Sequence, residues 1–152
     1  EKKHRLISHR GNIDGKYPQY ENLPEYVDKA LNLGYDVEVD LWIDNDGFYL
    51  GHDEPTYPID LKWLTDRYLS LWIHCKNLRT VEGLRDLQNN MLTDLNYFFH
   101  QNDDCTITSR GHIWVYPGKQ PVTNSIAVLP EWHDDDISKA YGICSDYIKK
   151  YK

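Results

Sequence analysis

The run Asp36-Val37-Glu38-Val39-Asp40-Leu41-Trp42-Ile43 constrains this chain more than any other stretch. Its side chains alternate with period two, the pattern of a strand and not of a helix. Val37, Val39, Leu41 and Ile43 fall on one face; Glu38, Asp40 and Trp42 fall on the other. Two carboxylates two residues apart on a strand point the same way and can share one hard cation. Without a cation or a cationic substrate group, their mutual repulsion is unfavourable. Taken by itself, the strand is expected to be half-exposed, with Glu38 and Asp40 on the wet face of an ordinary antiparallel sheet.

The rest of the chain alternates between strand and helix patterns. Leu6-Ile7-Ser8 reads as a short strand entering His9-Arg10-Gly11, followed by a turn-rich loop over residues 12–20. Asn22 or Leu23 caps a helix with Pro24 in its first turn, and Gly34 stops it. Asp44-Asn45-Asp46-Gly47 is a strong turn signal leading to Phe48-Tyr49-Leu50-Gly51-His52. A short helix is expected over residues 61–68, a strand over 70–76 with Trp72, His74 and Lys76 on one face, and a helix over 80–88. Further strands are expected at 97–100, at 106–116 with a break near Arg110-Gly111, at 125–129 and at 142–145. A short helix is expected over 133–140.

At 152 residues the chain suits one domain, residues 1–152, with a real core. A net charge of −7 argues against a binder of nucleic-acid backbones. Twelve Tyr and five Trp argue against disorder. No apolar run approaches membrane-spanning length and no signal peptide is visible, so no integral membrane segment is expected. Cys75, Cys105 and Cys144 form no paired motif. Free thiols in a reducing, cytoplasmic compartment are the expectation.

Strands alternating with helices suggest an α/β fold, and His9, Asp40, His52 and Lys76 all fall at or just beyond strand ends. In a (β/α) barrel, active sites are built at the C-terminal ends of the strands. The expectation is therefore a single-domain, shortened TIM-like (β/α) barrel. Since common barrels need about 250 residues, several helices must be shortened or replaced by loops.

His9-Arg10-Gly11, Glu21-Asn22, Glu38-x-Asp40 and His52-Asp53, in this order and spacing, resemble the glycerophosphodiester phosphodiesterases. The resemblance covers residues 6–53, with Gly142-Ile143-Cys144-Ser145-Asp146 similar to that family's last strand. It implies a TIM barrel and a small phosphodiester substrate cleaved with a divalent cation, Mg²⁺ or Ca²⁺. It also implies His9 and His52 as the general acid/base pair, Arg10 on the phosphate, and Glu38 and Asp40 on the metal. Lys76 keeps the family's lysine. His74 stands where the family usually has a further acidic ligand. As a ligand it would favour Mn²⁺ and similar ions; otherwise it hydrogen-bonds a carboxylate or a metal-bound water.

The residues agree with that chemistry. Cleaving a phosphodiester needs positive charge on the non-bridging oxygens, a base for the nucleophile and an acid for the leaving alkoxide. Histidine titrates near neutrality and can serve in either proton role. The nucleophile is either water or a hydroxyl of the substrate, the latter giving a cyclic product. A sphingomyelinase D-like phospholipase is the next reading, and it requires an exposed apolar or aromatic rim. A non-catalytic module binding a phosphate ligand is the third. His4, His100, His112 and His133 are expected at the surface or satisfied in the core. Glu21 is a candidate to line the site and Asn22 to cap a helix. Trp114, Tyr116 and Trp132 are candidates to wall a substrate pocket, with core packing the expectation for most of them. The run Asp134-Asp135-Asp136 is expected as a solvated helix start.

Overall fold

The computed structural model describes residues 3–90 and 92–152. In chain order it comprises β1 (Arg5–His9), α1 (Pro24–Asn32), β2 (Asp36–Ile43), β3 (Phe48–Leu50), β4 (Tyr57–Ile59), α2 (Leu61–Asp66), β5 (Leu71–Cys75) and α3 (Leu78–Asn89). There follow β6 (Tyr97–Phe99), β7 (Cys105–Ile107), β8 (Ile113–Val115), β9 (Ser125–Val128) and β10 (Gly142–Ser145), with 3-10 turns at Pro130–Trp132 and Ile148–Tyr151. Neighbouring strands in the order β6-β5-β2-β1-β10-β9-β8 run parallel. The hairpin partners β3, β4 and β7 add antiparallel edges.

The expected shortened TIM-like (β/α) barrel does not form. Among the described residues the fold is a mixed 10-stranded sheet with three short α-helices. The reason lies in the second half of the chain. The connections from β8 to β9 (residues 116–124) and from β9 to β10 (residues 129–141) carry Pro117, Pro121 and Pro130, which interrupt any helical run. The helix expected over 133–140 is absent for a related reason. Leu129 and Asp134 adopt left-handed backbone, φ 47° and 51°, around a single 3-10 turn. The strand expected over 106–116 is broken near Arg110-Gly111 as expected, into two strands folded back on each other, with Gly111 at φ 87° in the turn. β4 escaped the sequence reading because Pro58 suggested a loop; an edge strand tolerates proline.

β2 is not half-exposed either. Its aliphatic face, Val37, Val39 and Leu41, packs with Leu71, Ile73 and Cys75 of β5 against Val27 and Ala30 of α1, Leu64 of α2 and Leu84 of α3. Each such fully buried aliphatic side chain contributes about 1.5–3 kcal/mol of transfer free energy. Thr80 fastens α3 to this strand: its Oγ1 accepts from the Ile43 N–H at 2.8 Å. Asn77 caps the same helix by accepting from the Thr80 N–H at 2.9 Å.

The opposite face of the sheet is concave. Ile7, Trp72, Phe98, Trp114, Ile126 and Cys144 meet there in one apolar cluster. Phe98 of β6 and Trp114 of β8, from opposite ends of the parallel series, stack with ring centroids 4.6 Å apart. The sheet therefore curls until its ends touch, and this plug of side chains closes the concave space below the C-terminal strand ends. Glu38 and Asp40 lie on that face and are buried, 3% and 0% exposed.

Candidate active site

Above the apolar plug lies a cavity of about 630 Å³, walled in part by His9, Arg10, Glu38, His52, His74 and Lys76. Asp40 does not line it, nor does Glu21, the other residue expected to do so. Asp40 sits beneath the others and holds them together.

The backbone N–H of Asp40 donates to Asn22 Oδ1, and Asn22 Nδ2 donates back to Asp40 Oδ2, both at 2.9 Å. Asn22 adopts a left-handed backbone with φ 68°, a conformation asparagine tolerates better than most residues. Of the two expected helix caps, Leu23 takes the position, and Asn22 is instead a carboxylate clamp. Arg10 Nε lies 3.2 Å and His52 Nδ1 3.6 Å from Asp40 Oδ2. His74 Nδ1 lies 3.2 Å and Lys76 Nζ 3.9 Å from Asp40 Oδ1. Burial alone would raise the Asp40 carboxyl; contacts from His52 and His74 and the charge of Arg10 hold it well below the usual range instead. Glu38 goes the other way. Its burial and the neighbouring Asp40 charge push it well up, against partial relief from Arg10 and Lys76.

Glu38, Asp40 and His74 each bring a donor atom within 4.8 Å of the other two. Glu38 Oε1 and Asp40 Oδ1 are buried and have no hydrogen-bond partner among the described residues. His74 Nε2 lies 3.0 Å from the carbonyl oxygen of His100. A carbonyl only accepts, so Nε2 carries the proton. The other nitrogen, Nδ1, faces the two carboxylates, 3.2 Å from Asp40 Oδ1 and 3.9 Å from Glu38 Oε2. One carboxylate oxygen from each of Glu38 and Asp40, together with a His74 ring nitrogen, forms a donor set suited to a divalent cation, with the far nitrogen anchored as metal-bound histidines usually are.

His9 and His52 occupy different settings. His9 Nδ1 donates to Asp146 Oδ1 at 2.7 Å, which leaves Nε2 facing the cavity, 3.8 Å from Glu38 Oε1. Asn12 Nδ2 donates to both Asp146 Oδ1 and Glu21 Oε2 at 2.9 Å, and Glu21 Oε1 accepts from Arg10 at 3.0 Å. Burial would raise Asp146, but the His9 and Asn12 contacts bring it below the normal carboxylate range. His52, by contrast, stands at the mouth with its side chain 44% exposed. Gly51 sets that position: a Cβ there would stand 2.0 Å from the carbonyl oxygen of Glu54.

Sequence reasoning missed Asp146, Asn12 and Asn22 as site residues, and misread His100. Asp146 directly follows β10, a signal of position that named no role. His100 was expected to be at the surface or satisfied; it is 7% exposed, lines the cavity, and neither ring nitrogen has a hydrogen-bond partner among the described residues. Trp114, Tyr116 and Trp132 also line the cavity, although Trp114 serves the core as well. The chain was compared with family models, with curated proteins and with solved structures, and none matched.

Proposed function

We propose that this cavity cleaves a glycerophosphodiester or a related small phosphodiester, using His9 and His52 for proton transfer beside a divalent cation at Glu38, Asp40 and His74. The observation that carries the reading is the grouping of Glu38, Asp40 and His74 donor atoms within 4.8 Å of one another, beside two histidines of different exposure. A bound cation would supply Lewis-acid stabilisation of charge on the non-bridging oxygens. Mg²⁺ and Ca²⁺ follow from the family resemblance; the imidazole donor also admits Mn²⁺.

This chain's own residues divide the remaining work. Asp146 fixes the His9 tautomer, so that Nε2 presents a lone pair and acts as the base toward the nucleophile. His52 lies at the mouth, where a departing alcohol must exit, and donates the proton it needs. Arg10, braced by Glu21, and Lys76 bring fixed positive charge to the wall that binds the phosphate. The apolar plug below keeps water from reaching the site from underneath.

The test is turnover of small phosphodiesters against metal concentration for wild type, Glu38→Gln and Asp40→Asn. Each substitution should abolish activity and its metal dependence with little change of volume. Full activity of both variants at the wild-type metal concentration would rule out a site on β2. Phosphorus NMR of the products separates attack by water from attack by a substrate hydroxyl. Absence of turnover with any of Mg²⁺, Ca²⁺ and Mn²⁺ would leave a binding module. The phospholipase reading has one observation in its favour: Trp132 and Phe99, 59% and 40% exposed, line the cavity. Faster turnover of lysophospholipid than of its soluble head-group diester would select it.

A further inference from the structure

A second cleft, of about 430 Å³, shares no lining residue with the cavity described above. It lies between α1, the loop that follows β1 and the 3-10 turn at Ile148–Tyr151. Its floor belongs to an apolar cluster in which Ile13 and Tyr35 pack with Ile143, on the face of β10 that points away from the plug. Four tyrosines wall it. Tyr35 is buried, and Tyr26 is held at both ends: a Cβ on Gly11 would stand 2.5 Å from its ring, and its hydroxyl donates to Asn12 Oδ1 at 2.9 Å. Tyr20 lies with its ring centroid 5.6 Å from that of Tyr26, and Tyr17 and Tyr20 are 41% and 48% exposed. Lys29, Lys149 and Lys152 line the same cleft, against the single carboxylate of Asp14. Lys152 Nζ stands 5.6 Å from the Tyr35 ring centroid. Among the described residues, ion pairs engage Lys62, Lys76 and Lys119 but none of these three.

We propose that this cleft is a second ligand site, which takes a planar aromatic anion of about mononucleotide size. The charge argues for the anion. In a chain of net charge −7, three lysines gathered around one concavity repel one another until a negative group arrives among them. The walls argue for the ring. Tyrosine faces stack on any flat π-system, and Tyr26 and Tyr35 are already fixed in place, so little order is lost when a ligand enters. Asp14 would oppose a bare anion, but it can accept a hydrogen bond from a hydroxyl or amino group elsewhere on the same ligand. A small inorganic anion would leave the aromatic walls unused, and an uncharged ring would leave the lysines uncompensated. The volume falls in the range of small-molecule sites. The site is independent of any reaction in the first cavity.

The experiment is calorimetric titration with three probes, adenosine monophosphate, adenosine and ribose 5-phosphate, in buffer containing a chelator. The first carries both ring and charge; the others each lack one. Wild type should bind adenosine monophosphate roughly 10-fold more tightly than either of the others. The double variant Lys29→Gln/Lys149→Gln should weaken adenosine monophosphate roughly 10-fold and leave adenosine unchanged. Tyr20→Leu removes a half-exposed ring and should weaken both ring-bearing probes. Lys76→Gln, a change in the other cavity, should leave all three unaffected. Absence of binding by adenosine monophosphate overturns the proposal, as does ribose 5-phosphate binding equally well. Binding that is lost in Lys76→Gln and kept in the double variant would place the anion in the first cavity and overturn it too.

Discussion

Asp40 shows how a buried carboxylate is kept ionised by its neighbours. Asn22 contributes two of its hydrogen bonds, so its value can be isolated with Asn22→Gly, which keeps the left-handed backbone available and removes only the side chain. The variant should lose about 1–3 kcal/mol in urea unfolding, the range for leaving a buried charged group short of a partner. A loss within the error of the melt would mean Asn22 is incidental. Asp146 gives a pH signature. Its folded carboxyl is depressed, so its contribution is fully present above the unfolded value of about 3.9 and disappears as pH falls through the lower folded value. Asp146→Asn should therefore be less stable than wild type at pH 7, and the difference should shrink below pH ~4. An undiminished difference at pH 3 would assign the effect to packing.

Among the elements, β2 was legible and its surroundings were not. The alternation of Val37, Val39 and Leu41 with Glu38 and Asp40 belongs to the strand itself and survives in any sheet. Burial of the carboxylate face comes from the curl of the whole sheet, which brings Phe98 to Trp114 and has no local signature. The same limit hid the partnership of His9 with Asp146, whose residues are 137 apart in sequence. Pro117, Pro121 and Pro130 were visible warnings against helices in the second half, but their effect on the architecture depended on how few residues separate the strands they connect. Two substitutions test how elements hold one another. Thr80→Val is nearly isosteric yet strands the buried Ile43 N–H, and should destabilise by about 1–3 kcal/mol in chemical denaturation. Gly51→Ala forces the loop away from the Glu54 carbonyl and should lower diester turnover by displacing His52 while Glu38, Asp40 and His9 stay in place. Unchanged turnover would show that the loop relaxes without moving His52.

Across the whole molecule, each face of the sheet buries one cysteine and the edge strand β7 exposes the third. Cys75 and Cys144 are buried and Cys105 is exposed. Burial pushes the Cys75 thiol up to about 12 and raises Cys144 as well. A disulfide reagent should titrate one thiol rapidly in the folded protein and the other two only on unfolding. Rapid modification of all three would show that the apolar layers open readily. Further, no helix among the described residues is long and apolar enough to cross a membrane. The order of strands in space also sets a schedule. β1 precedes every other strand among the described residues, yet it lies between β2 and β10, the strand that follows all the others. At a ribosomal pace of about 5–20 residues per second, His9 waits roughly 7–27 s for Asp146 to be synthesised. During that interval the β10 side of β1 has no partner and His9 lacks the Asp146 carboxylate that orients its ring, so the proposed site is assembled only once β10 docks.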